Sequence, residues 1–379
     1  MELDLNNPVW IEINLKALEH NYNYVRDAIS NKTKLAAVVK ANAYGHGVDK
    51  ISQKLNELGT EYFCVGSPYE GIELRESGIK KPIFVLAEAL EFQYHDIIEA
   101  DLIQTVASWR SILALNQFAK KNNKLIKVQL IIDTGMGRIG FLPEQVFNIY
   151  KKTKKLDNII IKGIFSHFAR ADSANKEFSK KQFNLFNDIL KELLKKGFEL
   201  PLIHMANSAA TVDLKATNLD LIRPGIILYG LLPSDELINT PRLKPILSLK
   251  TKIVEIRELP AGSSISYGST YKTRKKEKIA VLPVGYKHGY PRCLSNEGDV
   301  LIKGQRVPIR GTICMGQTIV SVDNLENVRI GEEVVLIGKQ KNKEIKASEI
   351  AKICGTINYE IVCNLSENLK RIYLSGDNN

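Results

Sequence analysis

The sequence predicts an α/β chain: a (β/α)8 barrel followed by a mainly β C-terminal domain. Eight short apolar runs, at 35–39, 62–66, 83–87, 104–107, 128–132, 159–166, 202–206 and 219–223, alternate with amphipathic segments. Those segments repeat at helical spacing. Leu15, Leu18, Tyr22, Val25 and Ile29 share one face before the first run, and Phe183, Phe186, Leu190 and Leu193 share one between the sixth and seventh. After Gly230 the texture changes, and prolines and glycines punctuate short β-rich runs. Eight strand–helix repeats over about 200 residues is barrel patterning. An open doubly wound sheet ranks second, because no GxGxxG turn follows the first run.

The barrel is expected over 10–240 and the β domain over 245–379, with residues 1–14 joining the latter because 9–13 alternates like a strand. The later runs fall at 247–256, 278–283, 299–302, 307–309, 318–322 and 333–337, with one helical pattern at 347–354. The chain has 379 residues, 44% of them hydrophobic, enough for a large core. No run is long enough to span a membrane, and the acidic start Met1-Glu2-Leu3-Asp4 lacks signal-peptide regions, which favours the cytoplasm. The five cysteines have no metal-ligand spacing and read as reduced, mostly structural thiols. A net charge of +11 comes from lysine clusters without interleaved aromatics, so a solvated surface is expected rather than a nucleic-acid face.

A barrel gathers its reacting groups where strands end. Lys40 follows the first run, Asp133 and Arg138 the fifth, Ser166-His167 the sixth, Asn207-Ser208 the seventh and Arg223-Pro224-Gly225 the eighth. A lysine closing a buried strand loses hydration, which lowers its pKa and suits it to Schiff-base chemistry; otherwise it snorkels to solvent. A buried Arg223 needs acceptors, either across the barrel or on a ligand. Asn207 or Ser208 suits a helix N-cap or an anion contact. Tyr267 could be packing, or a base whose pKa a nearby cation lowers.

Taken together, the motifs VVKANAYGHG, DTGMGRIGF, SHFARAD, HMANSAA, RPGIILYG, SYGSTY, VGYKHGYPR, GTICMGQ and GTINYE closely resemble the alanine racemase family, in family order from residue 38 to 360. The resemblance implies a pyridoxal 5'-phosphate enzyme that interconverts L- and D-alanine as a homodimer with shared active sites, supplying D-alanine for peptidoglycan. It implies that Lys40 binds the cofactor covalently and acts as one base, and that Tyr267 of a partner subunit acts as the other. Arg223 would face the pyridine nitrogen, with His167 beside it. Tyr44, Asn207, Ser208, Gly225, Ile226 and Tyr359 would contact the cofactor, most of them through its phosphate. Arg138 would lie near the cofactor phenolate and the substrate carboxylate. Met315 would contact that carboxylate through its N–H, and Tyr286 would line the entrance from the partner.

Three departures from the family pattern bear on the pocket. Ile131 stands where many members carry a carbamylated lysine that holds the active-site arginine, with Gln129 on the same strand face. Gly316 replaces an aspartate, leaving more room beside the substrate, and His288 replaces another. A racemase for serine, lysine or a broad range of amino acids is therefore the alternative. A non-catalytic cofactor-binding protein is disfavoured by the β domain and Tyr267, and a decarboxylase by Arg223, which cannot protonate the pyridine nitrogen.

Overall fold

The protein, a computed structural model, is described over residues 8–376, so the outer ends of the expected 1–14 segment and of the 245–379 domain lie outside the described residues. Its contacts separate two compact units. One spans Leu18–Ala43 and Val48–Lys244; the other comprises the described residues through Ala17, Tyr44–Gly47, and the described residues from Pro245.

After the N-terminal strand β1 (Val9–Asn14), eight strands form the first unit: β2 (Lys34–Val38), β3 (Tyr62–Val65), β4 (Ile83–Val85), β5 (Ile103–Val106), β6 (Ile126–Ile131), β7 (Ile159–Phe165), β8 (Leu202–Asn207) and β9 (Leu221–Arg223). All pair in parallel with their neighbours, and β2 closes onto β9 through Lys34↔Leu221 and Leu35↔Ile222. Both faces of such strands are covered, which explains apolar runs rather than alternation: Ala36, Phe63, Phe84, Val106, Val128 and Ile164 are all fully buried. Some polar groups on these strands pair with one another inside. Gln129 Nε2 donates to Thr105 Oγ1 at 2.9 Å, and Thr105 Oγ1 donates to the Val85 carbonyl at 2.5 Å. Local signals start the surrounding helices; Ser108 Oγ, for example, caps Trp109–Lys121 by accepting from Ser111 N at 3.1 Å.

In the second unit one mixed sheet runs Gln305–Pro308, Asp299–Ile302, Glu333–Gln340, Leu247–Lys252, β1, Lys370–Leu374, with Lys343–Ile345 hairpinned onto Glu333–Gln340. β1 lies antiparallel to Leu247–Lys252 (Ile11↔Leu249) and parallel to Lys370–Leu374. A three-stranded sheet joins Glu255–Leu259, Glu277–Leu282 and Thr318–Ser321, and Ser264–Ile265 pairs with Tyr271–Lys272.

Three expectations are corrected. The run 247–256 is two strands in different sheets, broken at residues 253–254, where Ile253 N donates to the Glu332 carbonyl and Val254 N to that of Val281, both at 3.0 Å. The short helix Asn358–Cys363 had too few residues to show a repeat. Cys293 and Cys354 are not reduced thiols but a disulfide. They lie 61 residues apart in sequence, yet folding brings their Cα atoms to 5.5 Å, a proximity that sequence spacing cannot carry.

Candidate active site

Lys40 follows β2 and is half-buried, and its Nζ makes no hydrogen bond or ion pair among the described residues. The backbone after it does something a sequence pattern does not announce. Ala41, Asn42, Ala43 and Tyr44 have φ of 53°, 52°, 52° and 54°, so Lys40–Gly45 is a left-handed turn built from non-glycine residues. Each such residue costs of order 1–3 kcal/mol and persists only where its surroundings over-determine it. Here Ala43 N donates to the Val39 carbonyl at 2.9 Å, and Asn42 Oδ1 accepts from Val48 N at 2.7 Å.

Arg223 closes β9 and is 3% exposed. Its NH2 group donates to the carbonyls of Ser166 at 2.9 Å and Met205 at 3.1 Å, and to His167 Nδ1 at 3.1 Å. Its NH1 group lies 2.6 Å from His204 Nδ1, and the guanidinium stands 5.2 Å from the Phe165 ring centroid. Nε takes part in none of these bonds. Among the described residues no carboxylate pairs with it; its partners are carbonyls and imidazole nitrogens. Because Arg223 can only donate, both histidines must accept through Nδ1 and are therefore neutral. His204, fully buried and stacked 4.9 Å from Phe165, was missed from the sequence. Its signal was a histidine inside the seventh apolar run, which requires a partner at the same depth.

Burial, then the charges of Arg223, Arg138 and Lys40, push His167 down to about 3; burial and Arg223 hold His204 well below its ordinary value. Burial lowers Arg223 itself to about 10. In the unfolded chain a histidine titrates near 6.5 and binds the proton that the fold excludes. Stability is therefore full above about 6.5 and falls as pH drops toward 3, by about 1.4 kcal/mol per pH unit for His167 alone. Urea unfolding across that window should show at least this slope, and His167→Asn should reduce it by about that amount, leaving the part due to His204.

The other barrel residues divide. Ser208 Oγ accepts from Gly225 N at 2.9 Å, which brings these two together beside the fully buried Ile226. Asn207 uses its side chain as the N-cap of Ser208–Asp213, accepting from Ala210 N at 3.0 Å. Arg138 is exposed, and its guanidinium makes no hydrogen bond or ion pair among the described residues. Asp133 closes the Arg138 loop instead, accepting from Gly135, Met136 and Gly137. Ile131 is buried and Gln129 is bonded to Thr105, so neither holds Arg138.

In the second unit Tyr267 (73% exposed), Tyr286 and Met315 (60%) are tied to one segment. Thr312 Oγ1 donates to the Tyr267 carbonyl at 2.9 Å, and Ser266 Oγ donates to the Thr312 carbonyl. Tyr286 N donates to the Cys314 carbonyl at 3.2 Å, and Lys287 N to that of Met315 at 3.0 Å. Residue 285 must be glycine, because a Cβ there would lie 2.0 Å from the Cys314 oxygen. A Cβ at 316 would meet the far end of the Lys287 side chain, Cε at 3.2 Å and Nζ at 3.4 Å. The Tyr44 and Tyr359 rings, also in this unit, are 6.0 Å apart.

The barrel residues fit a cofactor with a pyridine nitrogen. A buried cation with uncharged partners suits a neutral ring nitrogen, and the uncommitted Arg223 Nε–H is a donor for it. Among the described residues no cluster could hold a metal ion, and no helix is long and apolar enough to cross a membrane.

Two family models match the chain: "Alanine racemase, N-terminal domain" over residues 13–233 and "Alanine racemase, C-terminal domain" over 246–373. The chain is 47% identical over 373 residues to an alanine racemase of Halothermothrix orenii, covering 98% of each. It is similar to the solved alanine racemase of Clostridium difficile 630, with TM-score 0.94 and 37% identity over 99% of this chain and 97% of that one. It is also similar to the Bartonella henselae alanine racemase with covalently bound pyridoxal phosphate, with TM-score 0.87 and 28% identity over 97% of this chain and 100% of that one.

Proposed function

The chain belongs to the alanine racemase family, and from that premise we propose that it interconverts L- and D-alanine using pyridoxal 5'-phosphate held covalently by Lys40. When bound, the cofactor supplies an electron sink that makes the substrate α-proton acidic. Lys40 Nζ takes or returns that proton for one antipode. The Tyr267 phenol oxygen does so on the opposite face for the other, because inversion needs a base on each side. Tyr267 and Tyr286 come from a second copy of the chain. Supporting this, both are exposed on one tethered segment with Met315. In this proposal the Met315 N–H donates to the substrate carboxylate.

The observation that carries the reading is Arg223 with its uncharged partners. It keeps the ring nitrogen unprotonated, which moderates the sink and disfavours side reactions. Ser208, Gly225, Ile226, Tyr44 and Tyr359 hold the phosphate, with Asn207 shaping that helix end through its cap. Arg138 contacts the phenolate and the substrate carboxylate. The product serves cell-wall peptidoglycan.

A second reading, a racemase of broader range, is favoured by one observation. Where the family has an acid, Lys287 lies across Gly316 with no ion pair among the described residues. Chiral product analysis with pyridoxal phosphate and a panel of L-amino acids decides between them. Rapid D-alanine with little other product supports the first reading. Little D-alanine but clear product from a larger amino acid supports the second, and no D-product from any would sink both.

A further inference from the structure

We infer that the Glu70 carboxylate is a positioning residue that holds the left-handed turn behind Lys40; this rests on the reading of Lys40 as the reacting amine. Glu70 is the third residue of the helix Pro68–Glu76, and Ser67 is its N-cap. Sequence logic would stop at a capping box, with Ser67 Oγ accepting from Glu70 N and Glu70 accepting from Ser67 N. Those two contacts are long, at 3.4 and 3.3 Å. The short ones point elsewhere. Oε1 accepts from Ala41 N at 2.7 Å, and Oε2 accepts from Gly66 N at 2.5 Å. Charge-assisted bonds of that length are the strong ones. The carboxylate therefore acts chiefly as a bridge between the end of β3 and the first peptide after Lys40.

The bridged segments sit close. A Cβ on Gly66 would lie 3.6 Å from Lys40 Cβ and 3.1 Å from Glu70 Oε2. Ala41 opens the run of positive φ, so its N–H is the first donor that the left-handed backbone must place. An ionised carboxylate can accept at both ends of the bridge. A glutamine in the same place accepts at only one and presents N–H to the other donor. Glu70 thus limits the directions in which the Lys40 Cα–Cβ bond can point, without touching the reacting atoms.

The test compares Glu70→Gln with Ser67→Ala, which removes only the other half of the capping box. In cofactor-free protein we would follow amide exchange of the peptide spanning 40–45 and the rate at which an acylating reagent labels Lys40; in the loaded enzyme, kcat and KM. Glu70→Gln should speed exchange at Ala41 about tenfold, change the Lys40 labelling rate, and lower kcat about tenfold while KM stays within about twofold. Ser67→Ala should leave all three near wild type. Unchanged exchange and labelling in Glu70→Gln, faster exchange with an unchanged kcat, or the same changes in Ser67→Ala would each overturn the inference. If Glu70→Gln does not fold, Glu70→Asp, which keeps the charge one methylene short, is read the same way. If the wild-type protein does not racemise, the role given to Lys40 fails, and exchange and labelling still decide whether Glu70 holds the turn.

Discussion

Replacing Lys40 with alanine should lower racemisation by about 10⁴-fold and abolish covalent retention of pyridoxal phosphate, while leaving stability within about 0.5 kcal/mol of wild type. The two halves of that expectation have different origins. The catalytic loss is large because the proposal gives one nitrogen two tasks, holding the cofactor and moving a proton. The stability effect is small because Lys40 is only half-buried and its ammonium makes no hydrogen bond or ion pair among the described residues. The turn behind it is held through backbone atoms and the side chains of Asn42 and Glu70, which the substitution leaves in place. Mass spectrometry of borohydride-reduced protein locates the cofactor, and urea unfolding reads stability. Cofactor still attached at residues 34–47 in Lys40→Ala would remove Lys40 from the proposal. A folded variant with wild-type turnover would remove it as a base.

Arg223→Gln should behave in the opposite way, with stability and activity falling together. The guanidinium donates to two carbonyls and two imidazole nitrogens at full burial, and glutamine has only two N–H donors to offer them. At least two buried acceptors lose their partner, at a cost of about 1–3 kcal/mol each, so a loss of about 3 kcal/mol is expected in urea unfolding at neutral pH. Racemisation should fall by about 10²–10³-fold, the scale of removing one preorganised charge from a reaction site. The variant should also change the acid response. Arg223 is the second cause, after burial, that keeps His167 and His204 unprotonated. Without it both take up protons more readily in the fold, so less stability is lost as pH falls below about 6.5. A variant with unaltered stability and an unaltered acid slope would show that the buried cation is not the organising charge of the barrel end.

Much of this was legible in the chain itself. Hydrophobic periodicity determined the barrel, because a strand covered on both faces must be apolar throughout and a helix on one face must repeat every three to four residues. The same logic placed Lys40, His167, Ser208 and Arg223 at or just past strand ends, and Arg138 in the loop after β6. Periodicity is silent about groups that meet only after folding. The two carbonyl acceptors of Arg223 are backbone atoms carried by every residue type, and His204 becomes its partner only because β8 and β9 are neighbours. The left-handed turn at 41–44 violates local preference in alanine, asparagine and tyrosine, so no propensity could foretell it; surrounding hydrogen bonds impose it. The Cys293–Cys354 bond and the lysine lying over Gly316 join segments distant in sequence. The sequence by itself determined which elements form and which reactive side chains stand at their ends, because burial and periodicity are local properties. Only the tertiary structure decided how those side chains are charged, paired and aimed, because desolvation and hydrogen-bond geometry depend on neighbours that the chain brings together from afar.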